Sequence, residues 1–222
     1  AKYRENALMH KVIEPIIKAM ERMSKETRAN LRAPLPADLF PEHTTDFSPP
    51  RYRHELLVMA LNYGNESNAQ RLRDGRNVTD AQVKNALNLL TKEELAWVQQ
   101  VFDSAELLRP EAFALEERLS GLPVKAIKAR PLALANGNLA GGYFPVVYER
   151  AASVAGEKQE ASRVLDPNYT RPNTPHSHLK GRADKVEAVI SLAVGNVYRG
   201  LAQTAHDIAF REALLSGASM VL

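Results

Sequence analysis

Residues 59–72 read MALNYGNESNAQRL. The apolar run HELLVMAL, residues 54–61, leads into this segment, and Asn62-Tyr63-Gly64-Asn65 then interrupts the pattern before a polar run with helical spacing. Glycine beside asparagine can end one helix, and an asparagine side chain can cap the next by accepting from an open backbone N–H. A helical hairpin is therefore predicted: a helix through HELLVMAL, a turn at NYGN with Asn65 as the cap, and a short helix ESNAQRLR. That second helix is expected to close at Asp74-Gly75, because glycine tolerates left-handed backbone. Amides donate and accept at once, so Asn62, Asn65, Asn68 and Gln70 can either join the two helices internally or bridge an outside peptide or base. The internal role is the preferred reading. Arg71 lies three residues after Asn68 and is expected to tie Asp74 or Glu66.

Capping boxes follow at Thr79 with Gln82 and at Thr91 with Glu94, each announcing a further helix. After Thr91, apolar residues from Val98 to Leu119 keep a helical period across Pro110, which suggests one bent helix ended by Gly121. Toward the amino terminus, Met9, Val12, Ile13, Ile16, Ile17, Met20 and Met23 form one stripe from Tyr3 to about Arg32, with Pro15 expected to kink or split the helix. Residues 33–50, APLPADLFPEHTTDFSPP, have no sustained period and read as a rigid arm or long loop. ARPLALANGNLAGGYFPVVYE, residues 129–149, combines brief alternation with Asn-Gly and Gly-Gly and reads as a small ribbon. A short helix over residues 150–164, a polar connector and a helical pattern from about Ala183 to Leu215 complete the chain. Gly195 and Gly200 there suggest a close approach or a bend.

The expected fold class is mainly α, an irregular multi-helix domain with a small β ribbon. Residues 1–50 supply the amino-terminal helix and proline-rich arm, residues 51–165 the helical core with the ribbon, and residues 166–222 a polar connector and carboxy-terminal helices packed on the same domain. A chain of 222 residues can bury a real core. Its apolar fraction of 45% and charged fraction of 25% argue against wholesale disorder. The longest uncharged apolar run, AVISLAVGNVY at 188–198, is far shorter than the roughly 20 residues that cross a bilayer and is read as a buried helix. The chain opens on Ala and enters a helical pattern at once, so a longer parent is expected. Without cysteine it has no disulfide, thiol nucleophile or cysteine-based metal site.

Signatures of catalysis are sparse. No phosphate-binding loop, dinucleotide fingerprint or HExxH helix occurs. His176 and His178 are close in sequence but lack further ligands in a zinc pattern. His206-Asp207 with Ser191 or Ser216 offers the residue types of a serine triad without a context that joins them. Glu149, after the glycine-rich ribbon, is the least arbitrary catalytic carboxylate. No catalytic residue, metal or cofactor is assigned, and a cell-wall hydrolase ranks as the third reading.

A net charge of +3 gives little support for an acidic partner. The main basic cluster, Arg163, Arg171, His176, His178, Lys180, Arg182 and Lys185, surrounds a proline-rich connection and could meet phosphate oxygens, with Tyr169 available to stack on a base. Glu160, Asp166 and Asp184 reduce that excess. Nucleic-acid binding through Arg171, His176, His178, Lys180 and Arg182 is the second reading.

Taken in order, LLVMALNYGNESNAQRLRDG, LTKEELAWVQQVFD, the helix ending RLSG and GGYFPVVYE resemble an internal module of very large multidomain proteins encoded by phages and prophages, including virion-associated and ejected proteins. The resemblance covers about residues 54–149 and extends toward HLKGR and the last helices. Its motif positions here are Asn62, Gly64, Asn65, Asn68, Arg71, Leu72 and Gly75, then Trp97, Gly141, Gly142, Tyr143 and Pro145. The resemblance implies a structural or interaction module whose enzymatic domains lie elsewhere in the parent. Other domains of that parent or virion proteins are the implied partners, and the location is the virion or host cytoplasm, with passage through the envelope during infection. On this reading Trp97, Val101 and Phe102 anchor the core, and Gly141-Gly142 let the ribbon approach it.

Overall fold

The computed structural model describes residues 1–40, 50–149 and 189–219. The domain is mainly α-helical with one small β hairpin. Helices α1 (Lys2–Arg22) and α2 (Lys25–Asn30) come first, followed by a 3-10 turn at Ala37–Leu39. The core helices are α3 (Arg53–Tyr63), α4 (Glu66–Arg76), α5 (Asp80–Leu87), α6 (Lys92–Glu106) and α7 (Arg109–Ser120). Strands β1 (Leu132–Leu134) and β2 (Gly137–Leu139) pair antiparallel across the Ala135-Asn136 turn, and α8 (Gly195–Ser219) follows.

Helix α6 lies at the centre. Trp97, Val98, Val101 and Phe102 are buried on it, and α1, α3 and β2 pack against it. Helix α1 contributes Leu8, Val12 and Ile16 at four-residue spacing and also packs on α8. One apolar cluster runs from Leu8 through Trp97 to Ile208.

Several boundaries differ from expectation for identifiable reasons. Pro15 lies inside α1, and the break comes at Ser24, whose Oγ accepts from Thr27 N at 3.1 Å while its own N–H and hydroxyl donate to Glu93. Val12 and Ile16, buried on either side, offset the roughly 3 kcal/mol that proline costs in a helix interior. Gly75 remains helical, and the left-handed closing residue of α4 is Asn77 at φ 50°. The helix expected to bend at Pro110 is two helices joined at Leu107-Leu108. Pro110 sits in the first turn of α7, where its missing N–H costs least. The apolar run 188–198 is also not one helix. Ser191 N donates to Val147 O and Glu149 N to Val189 O, so residues 189–191 pair with the segment after the hairpin, and α8 begins only at Gly195. The β-branched residues on both sides favour that pairing.

Both capping boxes are present. Gln82 accepts from Thr79 N at 2.8 Å, and Glu94 from Thr91 N at 2.7 Å. Gly121 ends α7 at φ 70°. The expected helix at 150–164, the polar connector and residues 41–49 of the arm lie outside the described residues.

Candidate functional site

The NYGN junction joins two helices and also receives a distant part of the chain. Gly64 closes α3, and Asn65 begins α4 in extended backbone, its Oδ1 accepting from Asn68 N at 2.9 Å. The remaining amide hydrogens reach across the fold. Asn65 Nδ2 donates to Gly142 O at 3.2 Å, and Asn68 Nδ2 to Phe144 O at 3.0 Å. Gly64 O accepts from both Arg130 N and Gly142 N at 2.8 Å. Asn62 Nδ2 donates to Val58 O one turn back, at 2.9 Å. All three asparagines are buried. Without these amides, the carbonyls of Gly142 and Phe144 would be buried without side-chain donors, so the bonds fix where the segment after the hairpin lies.

Steric fit explains the glycines. A Cβ on Gly64 would lie 2.3 Å from Phe102 Cζ, and one on Gly141 would lie 2.2 Å from Arg130 O. Gly142 lies over the Phe102 ring at φ 154°. The Gly-Gly pair thus brings backbone against the α6 core face, and on α8 a Cβ added to Gly200 would lie 3.2 Å from Pro145 Cβ, a looser approach.

Arg71 is half-buried, and its side chain makes no hydrogen bond or ion pair among the described residues. The expected tie to Asp74 or Glu66 is made by its neighbours. Gln70 reaches Asp74 at 2.8 Å, and Arg73, two turns after Glu66 and on the same face, reaches Glu66 at 2.7 Å. Arg71 lies five residues beyond Glu66, on a different face.

Beside the junction is a polar cluster. The Arg130 guanidinium stacks 4.2 Å above the centre of the Tyr63 ring and approaches Glu66 at 3.3 Å and Asp80 at 3.6 Å. Arg73 also bridges Glu66 and Asp80, both at 2.7 Å, and Tyr63 OH donates to Asp80. The bond from Arg73, partly offset by burial and aided by the charge of Arg130, holds the Glu66 carboxyl below its ordinary range. The cluster borders a cleft of about 260 Å³ between α5 and β1, lined also by Lys84 and by the apolar Leu87 and Leu132. Its arrangement suits anion attraction and apolar contact.

Arg76, buried at the end of α4, donates through Nε and Nη2 to Ile190 O at 3.1 and 2.6 Å. Burial lowers its pKa, opposed by the charges of Glu149 and Glu55. Glu149 is half-buried and bonded through its backbone to Val189. Ser191 Oγ accepts from Asn196 Nδ2, while His206 Nδ1 faces Glu5 and Ser216 Oγ donates to Glu212 O. Ser191, His206 and Ser216, the residue types weighed for a serine triad, thus each have a different partner. Among the described residues, no three His, Asp or Glu side chains gather in a metal-binding group. No helix of the described residues is long and apolar enough to cross a membrane. Arg171, His176, His178, Lys180 and Arg182 lie outside the described residues.

Comparison with family models, with curated proteins and with solved structures finds no match to the chain.

The Tyr63, Arg73, Asp80 and Arg130 cluster does not follow from the sequence reading. The seven-residue spacings from Glu66 to Arg73 and from Arg73 to Asp80 were a usable local signal, but nothing local joins Arg130 to Tyr63 across 67 residues.

Proposed function

We propose that this chain is a structural and interaction module of a large phage virion or DNA-ejection protein. The observation that carries the reading is the inward orientation of Asn62, Asn65 and Asn68, whose amides bind the chain's own carbonyls. The phrase that carries the resemblance thus serves to dock the Gly141-Gly142 segment onto the α3–α4 junction. Such construction suits a rigid spacer or docking block within a larger polypeptide, with neighbouring domains or virion proteins as partners. The role requires no cofactor or metal. The proposed location is the virion or host cytoplasm, with envelope passage during infection.

The test is the structure of the parent protein in its particle. Contact between this region and neighbouring domains or virion proteins is expected; a position remote from every protein and nucleic acid would contradict the role. The nucleic-acid reading is tested by charge reversal at Arg171, Lys180 and Arg182. A module that works by phosphate attraction would lose salt-dependent DNA binding in this variant, whereas a purely structural module would have none to lose.

A further inference from the structure

Apart from Tyr63 and Arg130, the residues that line the cleft make none of the hydrogen bonds of the helix junction. One wall is a single face of α5, where Asp80, Lys84 and Leu87 are four and three residues apart. The other is formed by consecutive residues, Pro131 to Leu134. Strand side chains alternate between faces, so a wall of consecutive residues is the edge of the strand. The hairpin register supports this geometry. Leu134 pairs with Gly137 across a two-residue turn and Leu132 with Leu139, leaving the intervening Ala133 to point its N–H and C=O away from β2. No backbone partner for Ala133 occurs on that side among the described residues. An unpaired strand edge beside a cleft can accept an added strand.

The cleft is bridged at both ends. Asn88 Oδ1 accepts from Ala135 N at 2.9 Å and Asn136 Nδ2 donates to Leu90 O at 2.8 Å, tying the hairpin turn to the end of α5. Arg130, Tyr63 and Asp80 close the other end. Its volume of about 260 Å³ falls just below the roughly 300–1,000 Å³ of sites that enclose whole small molecules. A chain end fits this shape better than a chain passing through.

Charge identifies which end. Lys84 has no ion pair among the described residues, and Arg130 Nη1, although 3.3 Å from Glu66 Oε2, is buried without a hydrogen bond. Lys128 lies exposed nearby in sequence. The carboxylates of Glu66 and Asp80, the latter on the cleft wall, are shared between Arg73 and Arg130, which leaves Lys84 as the cation in excess.

We propose that this cleft binds the extended carboxy-terminal residues of a partner polypeptide. The terminal carboxylate meets Lys84 and Arg130, backbone groups pair with Ala133, and an apolar final side chain rests on Leu87 and Leu132. This rests on the interaction-module reading and gives that module a partner class.

The whole chain is screened against random peptides displayed with free carboxy termini, and enriched peptides, fluorescein-labelled, are titrated as free acids and as carboxy-terminal amides. Peptides with an apolar final residue should be enriched. Amidation, Lys84→Glu and Ala133→Pro should each weaken binding by about tenfold or more, the scale of a lost charge-assisted or strand-edge hydrogen bond. Circular dichroism monitors folding, and if Ala133→Pro disturbs the hairpin, amidation and Lys84→Glu decide the outcome. Absence of enrichment overturns the proposal, as does binding that ignores both of those changes. In the latter case the chain still binds a polypeptide, so the interaction-module reading survives without this cleft.

Discussion

Replacing Gly64 by Ala tests the docking of the glycine-rich segment through the sign of its effect. Gly64 has φ −72° and ψ −3°, an αR conformation that alanine adopts freely. With open space around the residue, Gly64→Ala would restrict the unfolded chain and stabilise the fold by about 0.4–1 kcal/mol. The new Cβ instead falls 2.3 Å from Phe102 Cζ, 2.8 Å from Phe102 Cε1 and 3.1 Å from Gly142 N. Phe102 is buried in the core, so the ring or the docked backbone must shift, an overpacking cost of about 1–3 kcal/mol. A net loss of about 2 kcal/mol lowers Tm by about 4–8 °C for a domain of this size. Thermal unfolding followed by circular dichroism gives the answer. Combining the change with Phe102→Leu, which removes the colliding ring atoms, should destabilise less than the sum of the single changes, with a coupling of about 1 kcal/mol or more. An unchanged or raised Tm in Gly64→Ala would refute the close approach.

Further substitutions separate the other contributions. Asn65→Ala removes both the α4 cap and the donor to Gly142, for a loss of about 3 kcal/mol, whereas Asn65→Ser keeps a capping oxygen and should lose about half as much; equal urea midpoints for the two variants would remove the long-range bond from the account. Glu94 is fully buried and accepts from Arg53 Nε and Nη2, both at 2.7 Å, so Glu94→Gln should lower unfolding free energy by about 3 kcal/mol in chemical denaturation, through the uncompensated Arg53 charge. For Glu5, burial favours the neutral acid, but bonds and charges from Lys2 and His206 outweigh it and hold the pKa below 4.5. Its stabilisation is therefore present above pH 4.5 and lost as pH falls through the lowered folded value. Glu5→Gln should flatten that part of the acid-denaturation profile; a profile parallel to that of the parent chain would show no linkage.

Local chemistry made much of the helical framework legible. Thr79 with Gln82, Thr91 with Glu94, and Asn65 each satisfy backbone donors within three residues, and those positions matched the structure. The apolar weight of Trp97, Val101 and Phe102 also marked the core helix. Competing local signals explain the misplaced boundaries. Pro15 marks a helix break only if tertiary burial does not override it. Gly75 and Asn77 can both accept left-handed backbone, and the chain uses the second. At Pro110 the sequence allowed either a bend or a helix start.

The candidate site was least legible where function requires convergence. Asn65 was visible as a cap, but its bond to Gly142 joins residues 77 positions apart. The choice of Arg73 over Arg71 was readable from helical rotation, whereas Arg130 over Tyr63 depends on how the hairpin folds back. The edge of β1 likewise becomes recognisable only when the register across Ala135-Asn136 shows where Ala133 points.

Hydrogen exchange of the side-chain amides of Asn65 and Asn68, measured by NMR on the intact chain, decides whether these groups hold the glycine-rich segment to the helix junction. Their bonds to Gly142 O and Phe144 O predict strong protection, and Gly64→Ala should reduce it. Exchange at the rate of a free asparagine amide at both residues would show that these groups face solvent and would contradict the account.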